Sequence, residues 1–417
     1  ILMVKPGYKQ TEVGVIPDEW SLAALSELGT FSKGKGIKKT DVVENGLPCI
    51  RYGELYTHHN DIIRKFYSNI SYEIAMGSVR LKTGDILFAG SGETAEEIGK
   101  CAAFLGEEEA YAGGDIVILS PIDQHERFLG YLLNSYSIAK QKERFGQGDA
   151  VVHISSGNLG QIVALIPPVR EQESIASALS DVDALIESLE RLIAKKRDIK
   201  RAAMQELLTG KKRLPGFESS NVYKQTEVGV IPEDWEAVPI SLLAEVIMGQ
   251  SPDSSNYNAD GCGLPLIQGN ADISNRETIK RIFTTEVTKR GRAGDIIMSV
   301  RAPVGEISRT AFDVCLGRGV CAVRPRGNPD FLYHNLIFNE SKWVAISKGS
   351  TFDSVTSTDV RLFEIAVPMD EAEQSAISSI LSDVDGDIIA LEQRLKKTRK
   401  IKQGMMQELL TGRIRLV

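Results

Sequence analysis

The sequence predicts an α+β protein in which two pseudo-two-fold-related α/β domains are separated by two long antiparallel coiled-coil helices. Three observations predict it. Tyr8-Lys9-Gln10-Thr11-Glu12-Val13-Gly14-Val15-Ile16-Pro17 recurs letter for letter from Tyr223 to Pro232, and Trp20 or Trp235 follows each copy. Each half then closes on a long charged segment, Glu171 to Thr209 and Glu371 to Thr411, with Leu179-Ser180-Asp181-Val182-Asp183 returning as Leu381-Ser382-Asp383-Val384-Asp385 at a constant displacement. Both segments end on Met-Gln-Glu-Leu-Leu-Thr-Gly, at Gly210 and Gly412. The period is too long for a solenoid repeat, so the chain reads as two duplicated halves.

Taken in order, the layout is a first domain over 8–168, a spacer helix over 169–213, a second domain over 217–367 and a second spacer helix over 368–413. In the first domain, the stretches 47–52, 85–89 and 115–119 read as strands divided by glycine turns, and Phe128 to Lys140 as a helix. The second domain keeps the frame: Gly294-Asp295-Ile296-Ile297-Met298 matches Gly84-Asp85-Ile86-Leu87-Phe88, and Phe331 opens a helix as Phe128 does. The loops between these landmarks barely match, the pattern of loops with distinct recognition tasks.

Proline breaks at Pro167-Pro168 and Pro368 stop the extended chain before each long helix. Asp370 with Glu373 resembles a capping box. Apolar residues recur near 3.5-residue spacing, at Ile175, Val182, Leu185, Leu189, Leu192 and Ile199, then at Ile377, Val384, Ile388, Leu391, Leu395 and Met405. That is the seam of a coiled coil. Asp181, Asp183, Glu187 and Glu190 precede Lys195, Lys196, Arg197, Lys200 and Arg201, and the second helix repeats the polarity from Asp383 to Lys402. Such polarity complements each helix macrodipole. It also sets acid against base only when the two helices run antiparallel.

Composition narrows the class. The 417 residues are 42% hydrophobic and 25% charged, ordinary for a globular chain with room for two or three domains. No apolar run reaches the length of a membrane span and no charged-then-apolar leader opens the chain, which predicts a cytoplasmic protein. Cys49, Cys101, Cys262, Cys315 and Cys321 are odd in number without CxxC spacing, the pattern of buried reduced thiols. A net charge of -7 argues against coating nucleic acid by electrostatics alone and leaves room for local basic patches.

With the entry motif at Tyr8 and Tyr223, the two Met-Gln-Glu-Leu-Leu-Thr-Gly ends, Gly263-Leu264-Pro265-Leu266-Ile267-Gln268-Gly269 and the run from Gly294 to Gly305, the chain resembles the specificity subunits of type I restriction-modification systems over essentially its whole length. The resemblance implies two target-recognition domains, each reading half of a bipartite double-stranded DNA site. It implies two adenine methyltransferase subunits docked on the conserved regions, restriction subunits recruited through that core, and no cofactor in this chain, S-adenosylmethionine belonging to the methyltransferase. A helix of this length rises about 55 Å, against roughly 35 Å for a turn of DNA, which suits two separated contacts. The residues alone leave two alternatives open: a stand-alone methyltransferase or nuclease, and a duplicated interaction scaffold that never touches DNA.

No catalytic residue or metal ligand set is expected. Asn328-Pro329-Asp330-Phe331 sits one letter from an amino-methyltransferase loop but carries Asp at its third position and lacks a glycine-rich cofactor loop before it. Gly92 to Lys100 has the wrong spacing for a phosphate loop, and Cys101 stands where Ser or Thr is needed. DNA contact needs Lys or Arg for phosphates and forked donors for base edges. The candidates in the first domain are Lys33, Lys35, Lys38, Lys39, Arg51, Tyr52, Ser91 and Gln147, with His153 read as structural. Those in the second are Gln250, Ser251, Gln268, Asn270, Arg301, Lys348, Ser350 and Thr351. The repeated helix ends supply the candidates for partner docking: Met204, Glu206, Leu207 and Leu208, then Met406, Glu408, Leu409 and Leu410.

Overall fold

The computed structural model of the chain describes residues 6–148, 150–218, 222–347 and 354–416. They form two compact units, Ile1–Glu190 with Arg394–Val417, and Arg191–Gln393. Each unit therefore holds one domain together with part of each long helix, Val169–Leu207 and Glu371–Leu409.

In the first unit, Gly29–Lys33, Ile116–Pro121, Ile86–Ala89, Cys101–Phe104 and Ile62–Ile63 lie side by side in one sheet. A second sheet runs Val42–Val43, Ser68–Ile70, Leu47–Ile50, Tyr111–Ala112 and Val79–Arg80. The second unit repeats the plan, with Ala244–Met248, Val320–Pro325, Ile296–Ser299 and Ile307–Arg309 adjacent in one sheet and Leu264–Ile267 beside Val314–Leu316 in the other. In both, the second sheet contains a parallel pair, Tyr111 against Cys49 and Leu266 against Cys315. The central strands read as continuous apolar runs because both of their faces are buried.

The repeated entry motif is a β-hairpin, Tyr8–Thr11 paired with Gly14–Pro17 and Tyr223–Thr226 with Gly229–Pro232. Gly14 and Gly229 take φ of 116° and 114° at the turn, a backbone that L residues rarely adopt. Beyond each hairpin the indole of Trp20 or Trp235 is buried, and its Nε1–H donates to a carboxylate at a helix start, Glu171 at 2.8 Å or Glu373 at 3.2 Å. Arg415 reaches the same Glu171 at 2.6 Å, and Arg213 reaches Glu373 at 2.5 Å. Gly412 and Gly210 close the helix ends at φ of +70° and +67°, so near the hairpin prolines that a Cβ would lie 2.7 Å from Pro17 Cδ or 2.5 Å from Pro232 Cδ. The hairpin, the helix start and the helix end thus form one clamp in each unit, and all three of its parts recur in the sequence.

The two long helices run antiparallel inside each unit. In the first, Lys402 meets Asp183 at 2.8 Å and Arg399 meets Glu190 at 2.6 Å. In the second, Lys200 meets Asp385 at 2.6 Å and Arg197 meets Glu392 at 2.5 Å. Acid pairs with base, as the charge polarity requires.

Four local expectations are corrected. The helix expected over Phe128 to Lys140 is two, Glu126–Leu132 and Tyr136–Phe145, because the Asn134 amide turns inward to the Cys101 backbone and Asp61. Arg51 and Tyr52 leave the strand, Arg51 capping the short helix Tyr52–Thr57. Asp370 caps its helix through the Ala372 N–H, but Glu373 is drawn to Trp235 and Arg213 and closes no capping box. The heptad seam is only partly buried: Ile175, Leu189, Ile377 and Ile388 are buried, whereas Leu185, Leu192 and Ile199 stand exposed.

Candidate nucleic-acid interface

In the first unit, the turn Gly113-Gly114-Asp115 joins a strand of one sheet to a strand of the other and gathers several loops around it. Gly113 N–H donates to Ile50 O at 2.9 Å, which places Arg51 and Tyr52 beside the turn. Gly114 N–H donates to Gly36 O and Gly34 N–H to Ile116 O, each at 2.8 Å, which holds the basic loop against it. A Cβ on Gly34 would meet Gly113 O at 2.0 Å, so only glycine allows this approach. Gly90 N–H donates to Asp115 O at 2.7 Å and Ile154 N–H to Gly90 O at 3.0 Å, which brings in Ser91, His153 and Gln147.

The second unit is built the same way around Gly317-Arg318-Gly319. Gly317 N–H donates to Ile267 O at 2.8 Å, Gly249 N–H to Val320 O at 3.0 Å and Val300 N–H to Gly319 O at 2.9 Å. These bonds draw Gln268, Gln250 with Ser251, and Arg301 to the turn.

The candidates differ in what they can offer. Lys33, Lys35, Lys38 and Lys39 are exposed on the glycine-loosened loop. Lys33 approaches Asp115 at 3.7 Å, and among the described residues no carboxylate pairs with the other three. Arg51 spends its guanidinium on Glu54, a buried carboxylate at 3.0 Å that also accepts from Ser68 Oγ, so its first duty is structural. Tyr52 presents an exposed ring. Ser91 is buried, its Oγ bonded to His153 Nδ1 at 2.9 Å, and supports the loop instead of facing solvent. Gln147, Gln250, Gln268 and Arg301 are exposed, and Ser251 and Asn270 are half-buried. Lys348, Ser350 and Thr351 lie outside the described residues.

The two turns themselves escaped the sequence reading, and with them Arg318. The signal was present: Tyr111 to Ile116 and Cys315 to Val320 each set a glycine-bearing turn between two short apolar strands, at the same place in both halves.

The docking candidates fare differently. Met204, Leu207 and Leu208 are buried in the second unit's core, and Leu409 and Leu410 in the first's. These apolar residues pack at the helix ends that close the clamps described above. Glu206 remains exposed, and Met406 and Glu408 are half-buried.

The catalytic look-alikes also resolve. Asn328 Oδ1 accepts from Asp330 and Phe331 N–H and starts the helix Pro329–Phe338. The segment after Gly92 leads into the strand Cys101–Phe104, whereas a phosphate loop opens a helix. Burial pushes the Cys101 and Cys321 thiols up to about 12. Among the described residues no group of His, Cys, Asp and Glu is placed to hold a metal, and no helix is long and apolar enough to cross a membrane.

The family model described as the type I restriction modification DNA specificity domain matches this chain twice, over residues 17–195 and 232–403. The chain belongs to the type I restriction-modification specificity subunits. A relative from Methanocaldococcus jannaschii, the MjaX type I restriction enzyme specificity subunit, is 32% identical over 98% of this chain and 97% of its own. The MjaVIII specificity subunit of the same organism is 27% identical over 50% of this chain and 49% of its own. Among solved structures, the type I restriction-modification S subunit of M. genitalium superposes with a TM-score of 0.63 at 15% identity, covering 98% of both chains. A chain solved in work on assembly of the type I R-M system gives 0.58 at 22% identity, covering 96% of this chain and 99% of that one. The last two share the fold of this specificity subunit.

Proposed function

We propose that each unit reads one half of a bipartite, asymmetric DNA sequence, and that the chain presents an adenine in that site to a partner methyltransferase. The observation that carries this reading is the duplicated loop cluster. Two frames with three matching backbone hydrogen bonds, around Gly113-Gly114-Asp115 and Gly317-Arg318-Gly319, display different exposed donors. The frame fixes position, and its divergent loops offer two sets of letters. Two methyltransferase subunits, one for each repeat, would flip the adenine and carry a methyl group to its N6 from S-adenosylmethionine, which they and not this chain would bind. Restriction subunits would join through that three-subunit core, and the whole would work in the cytoplasm. This chain performs no chemistry of its own in this scheme.

The basic candidates for DNA contact lie on loops of a chain of net charge -7, so the subunit alone binds DNA weakly and with steep salt dependence. Titrating labelled duplex with the chain, with and without its methyltransferase, tests this. Tight, sequence-selective binding is expected only with the partner. Equal affinity in both cases, or methyl transfer by the chain alone, would overturn the scheme.

A further inference from the structure

We infer that Arg318 reads a guanine in the major groove of the half-site taken by the second unit, an assignment that rests on the DNA-reading scheme above. Arg318 is the middle residue of the turn on which that unit's loop cluster is built. Its own N–H donates to Ser251 Oγ at 3.1 Å, and Gln250 N–H donates to Leu316 O at 2.8 Å just before it. The flanking glycines are held as tightly: a Cβ on Gly317 would stand 2.9 Å from Gln268 Cγ, and one on Gly319 would stand 2.0 Å from Gln268 O. The backbone on both sides is therefore fixed, and the Arg318 side chain projects from it into solvent.

What surrounds that side chain favours base reading. Four arginines elsewhere in the unit are committed to acids, Arg276 to Glu340, Arg290 to Asp313, Arg309 to Asp330 and Arg324 to Asp295. Among the described residues no carboxylate pairs with Arg318. The exposed amides of Gln250 and Gln268 flank the same turn. A guanidinium offers two parallel N–H donors, which match guanine O6 and N7, and glutamine amides match adenine. Phosphate contact needs only a charge on a flexible arm, as the Lys33 to Lys39 loop of the first unit supplies. A fixed backbone is needed where the fork must meet a base edge at a defined angle. The corresponding turn of the first unit has Gly114 at this place, with no side chain, so this contact exists in one half-site only.

The test uses the full chain with its methyltransferase on duplexes carrying the methylated motif, each guanine of the second half-site replaced in turn by 7-deazaguanine, which lacks N7. The wild-type complex is expected to bind one substituted duplex roughly tenfold more weakly. Arg318→Ala should be indifferent to that substitution and accept any base pair there, with the first half-site and the spacing unchanged. Arg318→Lys, which keeps the charge and loses the fork, should behave like the alanine variant towards that guanine. Arg318→Ala retaining the wild-type pattern of penalties would overturn the assignment. So would a uniform loss across all duplexes, with Arg318→Lys restoring it, since that marks a phosphate contact. A wild-type complex that methylates no bipartite motif would instead sink the underlying scheme, and this assignment with it.

Discussion

Glu171 and Glu373 are almost wholly withdrawn from water, each compensated by an indole N–H and an arginine. The arginines, Arg415 and Arg213, are tied also to Glu19 at 2.7 Å and to Asp234 at 2.8 Å. Removing one cation leaves a buried carboxylate without its charge partner, a change that costs about 3 kcal/mol in buried pairs. Arg415→Ala should therefore lower the urea midpoint of the first unit's transition, and Arg213→Ala that of the second. His334 provides the pH response at this scale. Burial and the nearby charge of Lys200 pull it down to about 4, and its Nδ1 has no hydrogen-bond partner. The folded chain keeps this ring neutral while the unfolded chain protonates it near its ordinary value of about 6.5. Unfolding then takes up a proton between those two values. The stabilisation is complete above pH 6.5 and fades as pH falls towards 4, by about 3 kcal/mol. Urea midpoints of wild type and His334→Gln, compared at pH 7 and pH 4.5, should show the steeper acid loss in wild type.

Between the helices, burial decides which ion pairs matter. Lys402, Asp183 and Asp61 are mostly buried, with Lys402 Nζ 2.7 Å from Asp61 and 2.8 Å from Asp183. Desolvation alone would lower the Lys402 pKa, but the two carboxylates outweigh it and raise it. Arg399 and Glu190 are 60% and 45% exposed at 2.6 Å. Lys402→Met should cost about 3 kcal/mol because it leaves the buried Asp61 carboxylate with only the Asn134 amide, Arg64 remaining on Asp183. Arg399→Ala should cost less than about 1 kcal/mol, screened by water and salt. Denaturant titration of both variants checks the ranking, and equal losses would show that burial is not what separates them. The antiparallel sense of these pairs was legible in the sequence as blocks of like charge. Asp61 was not, because nothing in a variable-region loop marks one acid as the partner of a lysine more than 300 residues later. Glu373 misled for a related reason: its spacing suits a capping box, and only the fold reveals a competing indole and guanidinium. The exposed Leu185, Leu192 and Ile199 show that heptad spacing indicates a helix face without indicating what covers it.

Across the whole chain, duplication was the readable property and the recognition surface was not. Two copies of one frame follow from letters that repeat, whereas the turn carrying Arg318 shares with its counterpart only a glycine position between two short apolar strands, a repeat that does not single out the arginine. The helices carry the last consequence of that duplication. Each is continuous for 39 residues, a rise of about 58 Å. Glu190 and Arg399 pair in the first unit and Arg197 and Glu392 in the second. About four extra residues inserted between Glu190 and Arg197, with the same number between Glu392 and Arg399, keep each unit's own pairs and add about 6 Å of helix. An insertion in one helix alone would force one unit's ion pairs out of register, so both must change. At about 3.4 Å of duplex per base pair, the methylated motif should gain roughly two unspecified base pairs between its halves. Its letters should stay the same, since no turn, strand or loop of either cluster is touched. Methylation mapping of a host carrying the lengthened subunit reads both quantities at once. Altered letters at unchanged spacing would mean that the helices do not set the distance between the two readings.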